Sequence, residues 1–243
     1  MAAKLKLISK PIPWSLLVKA LLIGATWLLA PRWIFFLVAL YLYANPLFHF
    51  ARLLWPFTIT LFAGFLMPKV IAFGDVRIPN VLGFFFLFFI FYLILGIKEL
   101  IFVNRKAVYG LLVLLLFFLI ALNFFSRVDA GIGLGATWGA LLVAFAFFLL
   151  LIKLLAYEEI GADAMQKVAH TGLIAFLVWQ VAVAILFLPL LFSSQGAILF
   201  LFGALILTFF LDYHKGALLP RRLMTHLVIF LLFVSLVLWR GAV

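Results

Sequence analysis

The chain contains no cysteine and very few charged residues. Without cysteine it cannot form disulfides, thiolate zinc sites or cysteine nucleophiles. Asp, Glu, Lys and Arg together make up 10% of its 243 residues, whereas a soluble domain usually has about 25%. Apolar residues make up 70%, and the mean hydropathy is +1.39. This composition excludes a water-soluble globular protein and predicts an integral membrane protein whose main surroundings are the lipid bilayer.

Basic residues outnumber acidic ones by 18 to 7, which gives a formal net charge of +11. The basic residues are scattered singly between apolar runs rather than gathered into one patch, so the charge does not indicate a nucleic-acid partner. It serves instead as a topology signal, because cytoplasmic loops of membrane proteins are enriched in Lys and Arg.

The apolar runs are long and continuous. A transmembrane helix needs about 20 apolar residues, and the alternation that marks a transmembrane β-barrel is not seen. The sequence therefore predicts an all-α polytopic membrane bundle of nine helices, with residues 1–243 forming a single transmembrane domain and no soluble domain. The predicted spans are Trp14–Ala30, Trp33–Phe48, Leu53–Phe73, Val81–Val103, Ala107–Phe125, Gly133–Tyr157, Val168–Phe192, Ala197–Leu211 and Leu223–Trp239.

Eight spans are the alternative, because the first two are short and only Pro31 and Arg32 separate them. Residues 14–50 form either two spans or a re-entrant hairpin. Leu28 and Ala30 do not make the pair of small residues that a signal-peptide cleavage site requires, so the first span is expected to be uncleaved. With nine spans and a cytoplasmic N-terminus, 13 of the 18 basic residues fall on the cytoplasmic side. We therefore predict that orientation, in a plasma (inner) membrane.

Three glycines lead into the sixth span at a spacing of four, namely Gly131, Gly135 and Gly139. This spacing puts them on one helix face, where small residues let a neighbouring helix approach closely. A phosphate-binding loop is disfavoured, because no Lys-Ser/Thr follows and no strand precedes. The pattern predicts helix packing, within the chain or between chains.

The middles of the spans contain no carboxylate, which disfavours an ion-coupled carrier. Gln180, in the seventh span, is the deepest strong hydrogen-bonding side chain. Together with His170 and Thr171 it could line a polar path for a small or lipid-like solute through residues 168–240. The alternative is an interhelical hydrogen bond, worth about 1 kcal/mol.

One group of residues suggests catalysis. Glu158 and Glu159 follow the sixth span with Asp163 nearby, and His214 and His226 belong to the same predicted side of the membrane. Two carboxylates and two imidazoles could bind a metal and activate water, with a Glu as general base.

The order Glu-Glu, then Phe-x-x-x-His, then a further His loosely resembles the motifs of the CAAX-processing and bacteriocin-protection intramembrane proteases. The resemblance implies a metal-dependent intramembrane hydrolase and covers the last third of the chain. The chain departs from the family pattern at Ala162, where that family has Arg, and at Phe230, where it has Asn.

Three functions are therefore compatible with the sequence. The first is a non-catalytic subunit or scaffold of a membrane complex, with other membrane proteins as partners. The second is a transporter or channel, and the third is the intramembrane hydrolase. The first agrees best with apolar spans, short loops and span middles without charge, so we expect no enzyme activity and no cofactor.

Overall fold

The computed structural model describes residues 14–45, 53–73, 76–99, 101–102, 104–128, 134–157, 164–214, 216 and 220–241. Within these residues lie nine helices and one β-hairpin. In chain order they are α1 (Trp14–Leu29), α2 (Arg32–Ala44), α3 (Leu54–Leu66), β1 (Val70–Phe73), β2 (Val76–Pro79), α4 (Val81–Lys98), α5 (Arg105–Phe125), α6 (Leu134–Tyr157), α7 (Ala164–Leu186), α8 (Phe192–His214) and α9 (Pro220–Gly241).

Six helices, α4 to α9, are long and apolar enough to cross a membrane. This agrees with the predicted helical membrane protein. The helices α1, α2 and α3 have 16, 13 and 13 residues, which at 1.5 Å per residue gives about 24, 20 and 20 Å. These lengths fall short of a hydrocarbon core of about 30 Å. The crossing count of nine and the cytoplasmic N-terminus stay predictions.

The third predicted span differs most from the structure. The helix α3 ends at Leu66, and residues 70–73 form a strand rather than the last turns of a helix. Pro68 explains the end, because a proline disfavours helical geometry in the residue before it, and Met67 is extended with φ −66° and ψ 137°. The strand β1 pairs antiparallel with β2, with Phe73 opposite Val76. The segment between the third and fourth predicted spans thus contains the second strand of a hairpin, Val76–Pro79.

Asn80 joins this hairpin to α4. Its side-chain oxygen accepts a hydrogen bond from the Gly83 N–H at 2.8 Å, the usual bond of a helix N-cap. Its side-chain nitrogen donates to the Pro68 carbonyl at 2.9 Å, and its backbone N–H donates to the Lys69 carbonyl at 2.7 Å. Asn80 is buried, and the N-cap bond from Gly83 is buried with it. Together these bonds fix where α4 begins.

The chain divides into two compact units, residues 1–112 and 113–243, with the boundary inside α5. The expectation of a single domain stays a prediction. In the first unit α1 packs on α2 and α4. The Trp27 indole donates to the Gly64 carbonyl at 2.7 Å, and a Cβ on Gly24 would lie 3.0 Å from the Phe84 ring. The end of α1 thus meets the end of α3 and the beginning of α4. The helix α1 is therefore parallel to α3 and antiparallel to α4.

In the second unit the last part of α5 lies against the first part of α8, and the two helices are antiparallel. A Cβ on Gly203 would lie 2.2 Å from the Phe117 ring, and one on Gly196 would lie 2.8 Å from Leu122. The helix α7 packs on α6 and α8, and α9 packs on α8. No residue of α9 between 220 and 239 is buried.

Candidate functional site

The functional groups of the second unit gather where α8 ends and where α7 and α9 begin. The helices α7 and α8 are antiparallel, so the first turns of one meet the last turns of the other, and α9 starts beside them. We call this region the polar end of the second unit. Its members are Lys167, His170, Asp212, Tyr213, His214, Arg221, Arg222 and His226.

Two histidines meet at the polar end. The ring centres of His170 and His214 are 5.4 Å apart, and the His214 ring also lies 4.6 Å from Phe210 and 5.4 Å from Tyr213. The Nδ1 atom of His170 and the Nε2 atom of His214 are buried and have no hydrogen-bond partner among the described residues. The sequence assigned these histidines to two different functions, but the structure places them side by side.

His226 lies elsewhere at the polar end, with its ring centre 6.3 Å from that of Phe209. It lines a cavity between α8 and α9, the α8–α9 pocket, whose volume is about 520 Å³. The residues that line the pocket are Thr208, Asp212, Arg221, Arg222, Thr225 and His226. The sequence analysis did not assign Asp212 and the two arginines to a site. Their positions could have indicated one, because Asp212 lies near the end of one helix and the arginines lie at the start of the next.

The proposed hydrolase residues are described only in part. Glu158, Glu159 and Asp163 lie outside the described residues. Among the residues that are described, no group of three or more His, Asp or Glu side chains is arranged to hold a metal. His214 has His170 as its imidazole neighbour, while His226 belongs to the α8–α9 pocket.

The three side chains of the suggested polar path are not brought together on one surface. Thr171 is fully buried, and its hydroxyl donates to the Lys167 carbonyl at 2.6 Å. Gln180 follows nine residues later, which at about 100° per residue places it on the opposite face of α7. Its side chain is exposed. His170 is half-buried beside His214.

The glycines predicted to pack differ from one another. Gly131 lies outside the described residues. Gly135 is exposed, and a Cβ there would meet nothing within 4 Å. A Cβ on Gly139 would lie 2.7 Å from the Phe124 ring. Within the described part of this glycine row, close approach is confined to Gly139.

The first unit holds a charged cluster that sequence reasoning did not detect. Lys98 is 2% exposed, and its ammonium donates to the Tyr43 carbonyl and lies 4.6 Å from the centre of the Tyr43 ring. Next to it, Glu99 accepts a hydrogen bond from Lys19 at 2.7 Å. The antiparallel packing of α1 on α4 brings Lys19, near the start of one helix, to the end of the other. The sequence did contain an indication of this ion pair. Lys19 and Glu99 carry opposite charges and lie near span ends that are both predicted to face the cytoplasm.

Basic residues also meet at the opposite end of the first unit. The Lys69 ammonium donates to the Ala30 carbonyl, and the Arg32 guanidinium lies 5.4 Å from the centre of the Phe65 ring. Burial lowers the pKa of Lys69, and the positive charge of Arg32 lowers it further.

Comparison of the chain with protein-family models, curated proteins and solved structures finds no match. Any assignment of function therefore rests on these local arrangements.

Proposed function

We propose that the protein is a non-catalytic subunit of a membrane complex and that it binds a transmembrane helix of another membrane protein through the outward face of α7. The observation that carries this proposal is the exposed amide of Gln180 on an apolar helix face. Leu173 and Phe176, on the same side of the helix, are 61% and 50% exposed.

The depth of Gln180 makes this exposure costly in lipid. The residue lies six positions before the end of α7 at Leu186, which corresponds to about 9 Å along the helix axis. At that depth a span lies within the hydrocarbon, where an amide without a partner loses its hydrogen bonds to water. Among the described residues no group bonds to the Gln180 amide.

A second transmembrane helix with a polar side chain at the same depth would satisfy this amide. Interhelical hydrogen bonds of this kind are worth about 0.6–2 kcal/mol. The apolar side chains around Gln180 would supply the remaining contact area by ordinary packing. A subunit of this kind binds its partner through apolar packing and one interhelical hydrogen bond. It needs no charged residues within the bilayer, in agreement with a chain that has few of them.

The test is co-purification from native membranes in a mild detergent. We expect a fixed partner to accompany the wild-type chain and to be lost from Gln180→Leu. The matched control is Gln166→Leu, because Gln166 is an exposed glutamine in the first turn of the same helix, where the wet headgroup region satisfies its amide. This control should retain the partner.

The absence of cysteine allows a second measurement. In Leu177→Cys the single thiol stands on the outward face of α7, and a thiol-reactive photocrosslinker on it should join the chain to the same partner. Recovery of the chain alone at 27.4 kDa, or equal co-purification with both glutamine variants, would contradict the proposal. A crosslinked pair of identical chains would replace it with self-association.

A further inference from the structure

The side chains that line the α8–α9 pocket all carry polar groups. Three of the six are charged, in a chain with 10% charged residues. The pocket lies beside the ends of two helices that are long and apolar enough to cross a membrane. The three charged residues stand within two positions of those helix ends, at the level of the headgroups of the bilayer rather than of its hydrocarbon.

Helical spacing explains how these side chains face one cavity. On α8, Thr208 and Asp212 are four residues apart and so lie on one face. On α9, Arg221 and Thr225 form one pair at the same spacing, and Arg222 and His226 form another. Two polar stripes therefore oppose each other across the pocket.

The stripes differ in what they offer a ligand. The Thr208 hydroxyl donates to the Ala204 carbonyl at 2.8 Å, and the Thr225 hydroxyl donates to the Arg221 carbonyl at 2.9 Å. Both hydroxyls keep free lone pairs and act as acceptors. The guanidinium groups on α9 are the charged donors that line the pocket, while Asp212 on α8 adds a negative charge.

Asp212 forms no ion pair with Arg221 or Arg222. In the described part of the chain, the ion pair that is formed joins Lys19 and Glu99. The arginines also stand in the first turn of α9, where the backbone N–H groups and the helix dipole favour an anion. Guanidinium groups bind phosphate oxygens through paired, charge-assisted hydrogen bonds.

An apolar surface leads away from the pocket along the same face of α9. At 100° per residue, the four positions that continue this face are Ile229, Leu232, Phe233 and Leu236, and all four are exposed. A ligand with a phosphate at one end and hydrocarbon at the other matches this order of surfaces.

We propose that the α8–α9 pocket binds a phospholipid whose headgroup carries an amine beyond its phosphate. Arg221 and Arg222 bind the phosphate oxygens, and Asp212 accepts hydrogen bonds from the ammonium group. The acyl chains lie along the uncovered face of α9. This inference is independent of the α7 face and of any protein partner.

The test is native mass spectrometry of the full chain released from detergent after incubation with lipid. Phosphatidylethanolamine should remain bound to the wild type and should bind at least about tenfold more weakly to Arg221→Gln/Arg222→Gln, since each lost charge-assisted bond costs about one factor of ten or more. The matched control is Arg105→Gln, because Arg105 also stands in the first turn of a helix and lies outside the pocket. It should bind like the wild type.

A second variant tests the acidic side of the pocket. Phosphatidylcholine has no N–H group to donate, so the wild type should prefer phosphatidylethanolamine, and Asp212→Asn should lose most of this preference. Circular dichroism of each variant checks that the helices persist, and Arg221→Lys/Arg222→Lys, which keeps both charges, should retain part of the binding.

Two results would overturn the proposal. One is equal retention of phosphatidylethanolamine by the wild type and by a folded Arg221→Gln/Arg222→Gln. The other is displacement of the lipid by an equal concentration of soluble glycerophosphoethanolamine, because a headgroup that binds as well without its acyl chains would make the natural ligand a soluble phosphate compound.

Discussion

Alanine at position 203 would place a methyl carbon where a buried aromatic ring already lies. The added Cβ would be 2.2 Å from Cε1 of Phe117, 2.8 Å from Cδ1 and 3.0 Å from Cζ. Carbon atoms in ordinary contact are about 3.5–4.0 Å apart, so the ring or the helix must move by about 1.3 Å. Phe117 cannot yield easily, because it is fully buried and its ring centre lies 4.1 Å from that of buried Phe147.

The size of the effect follows from two opposing contributions. Overpacking a filled core with an extra carbon typically costs about 1–3 kcal/mol. Alanine in a helix interior is more stable than glycine by about 1 kcal/mol. Gly203→Ala should therefore lower the free energy of unfolding by up to about 2 kcal/mol relative to the wild type.

Gly172→Ala is the matched control, because Gly172 also lies inside a helix of the second unit and a Cβ there would meet nothing within 4 Å. This variant should be stabilised by the helix-propensity gain alone. Equilibrium unfolding in a denaturing detergent, followed by circular dichroism, gives the difference between the two variants, which should be about 1–3 kcal/mol. A Gly203→Ala protein as stable as Gly172→Ala would refute the close packing of α8 on α5. Adding Phe117→Leu to Gly203→Ala should recover part of the loss, since residues in contact are energetically coupled.

Three further predictions can be measured on the same purified protein. Asn80→Ala should lower the free energy of unfolding by about 1–2 kcal/mol, because it removes a buried N-cap. Asn104→Ala removes the 3.2 Å cap bond of an exposed residue and should lower it by less. Equal losses in the two variants would contradict the role of burial. Gly139→Ala should be less stable than Gly135→Ala, because only the former methyl would meet a ring, at 2.7 Å, and the reverse order would disprove that contact. The lowered pKa of Lys69 means that the folded state disfavours the charged form of its side chain. The free energy of unfolding should therefore rise with pH from this lowered pKa up to the ordinary value of about 10.4. Tm measured against pH should show this rise in the wild type, and the rise should be absent in Lys69→Met.

The helices from α4 onward could be predicted from hydropathy because their runs end at charges or turn residues. The sixth predicted span, for example, ends at the same residue as α6, Tyr157. The prediction is less accurate for the fourth span, which extends five residues beyond the observed end of α4 at Lys98. Hydropathy failed at the end of α3, because Val70 to Phe73 are as apolar as a span and only Pro68 marks the change. An apolar strand and an apolar helical turn are indistinguishable by composition when the segment is only four residues long.

The orientation of polar groups could not be predicted from the same pattern. A helix that is apolar on every side shows no hydrophobic periodicity, so its inward face cannot be identified from sequence. This applies to α4, whose last residue Lys98 is buried although a lysine at a span end is expected to reach the headgroups. It applies equally to Gln180, whose exposure only the packing of α7 determines.

Glycine spacing has a similar limit. A spacing of four shows that glycines share a face, and it does not show whether a neighbour reaches that face. Gly135 and Gly139 obey the same spacing, yet only Gly139 has a ring against it among the described residues. Gly203 belongs to no such row. Among the described glycines it has the closest approach to a neighbouring side chain, because Phe117, on a distant segment of the chain, lies against it.

In a membrane protein, a polar group without a hydrogen-bond partner indicates a binding surface better than an exposed apolar side chain does. Lipid is about as apolar as a protein core, so an exposed leucine on a span carries no penalty that an interface must relieve. A polar group without a partner does carry one. The deep polar groups of the first unit, such as Lys98 and Trp27, find carbonyl partners within that unit. In the second unit, Gln180 and the arginines of the α8–α9 pocket have no such partner among the described residues. Under the two proposals, a transmembrane helix of another protein satisfies Gln180 and a lipid headgroup binds the arginines. The two can be tested separately with Gln180→Leu and with Arg221→Gln/Arg222→Gln.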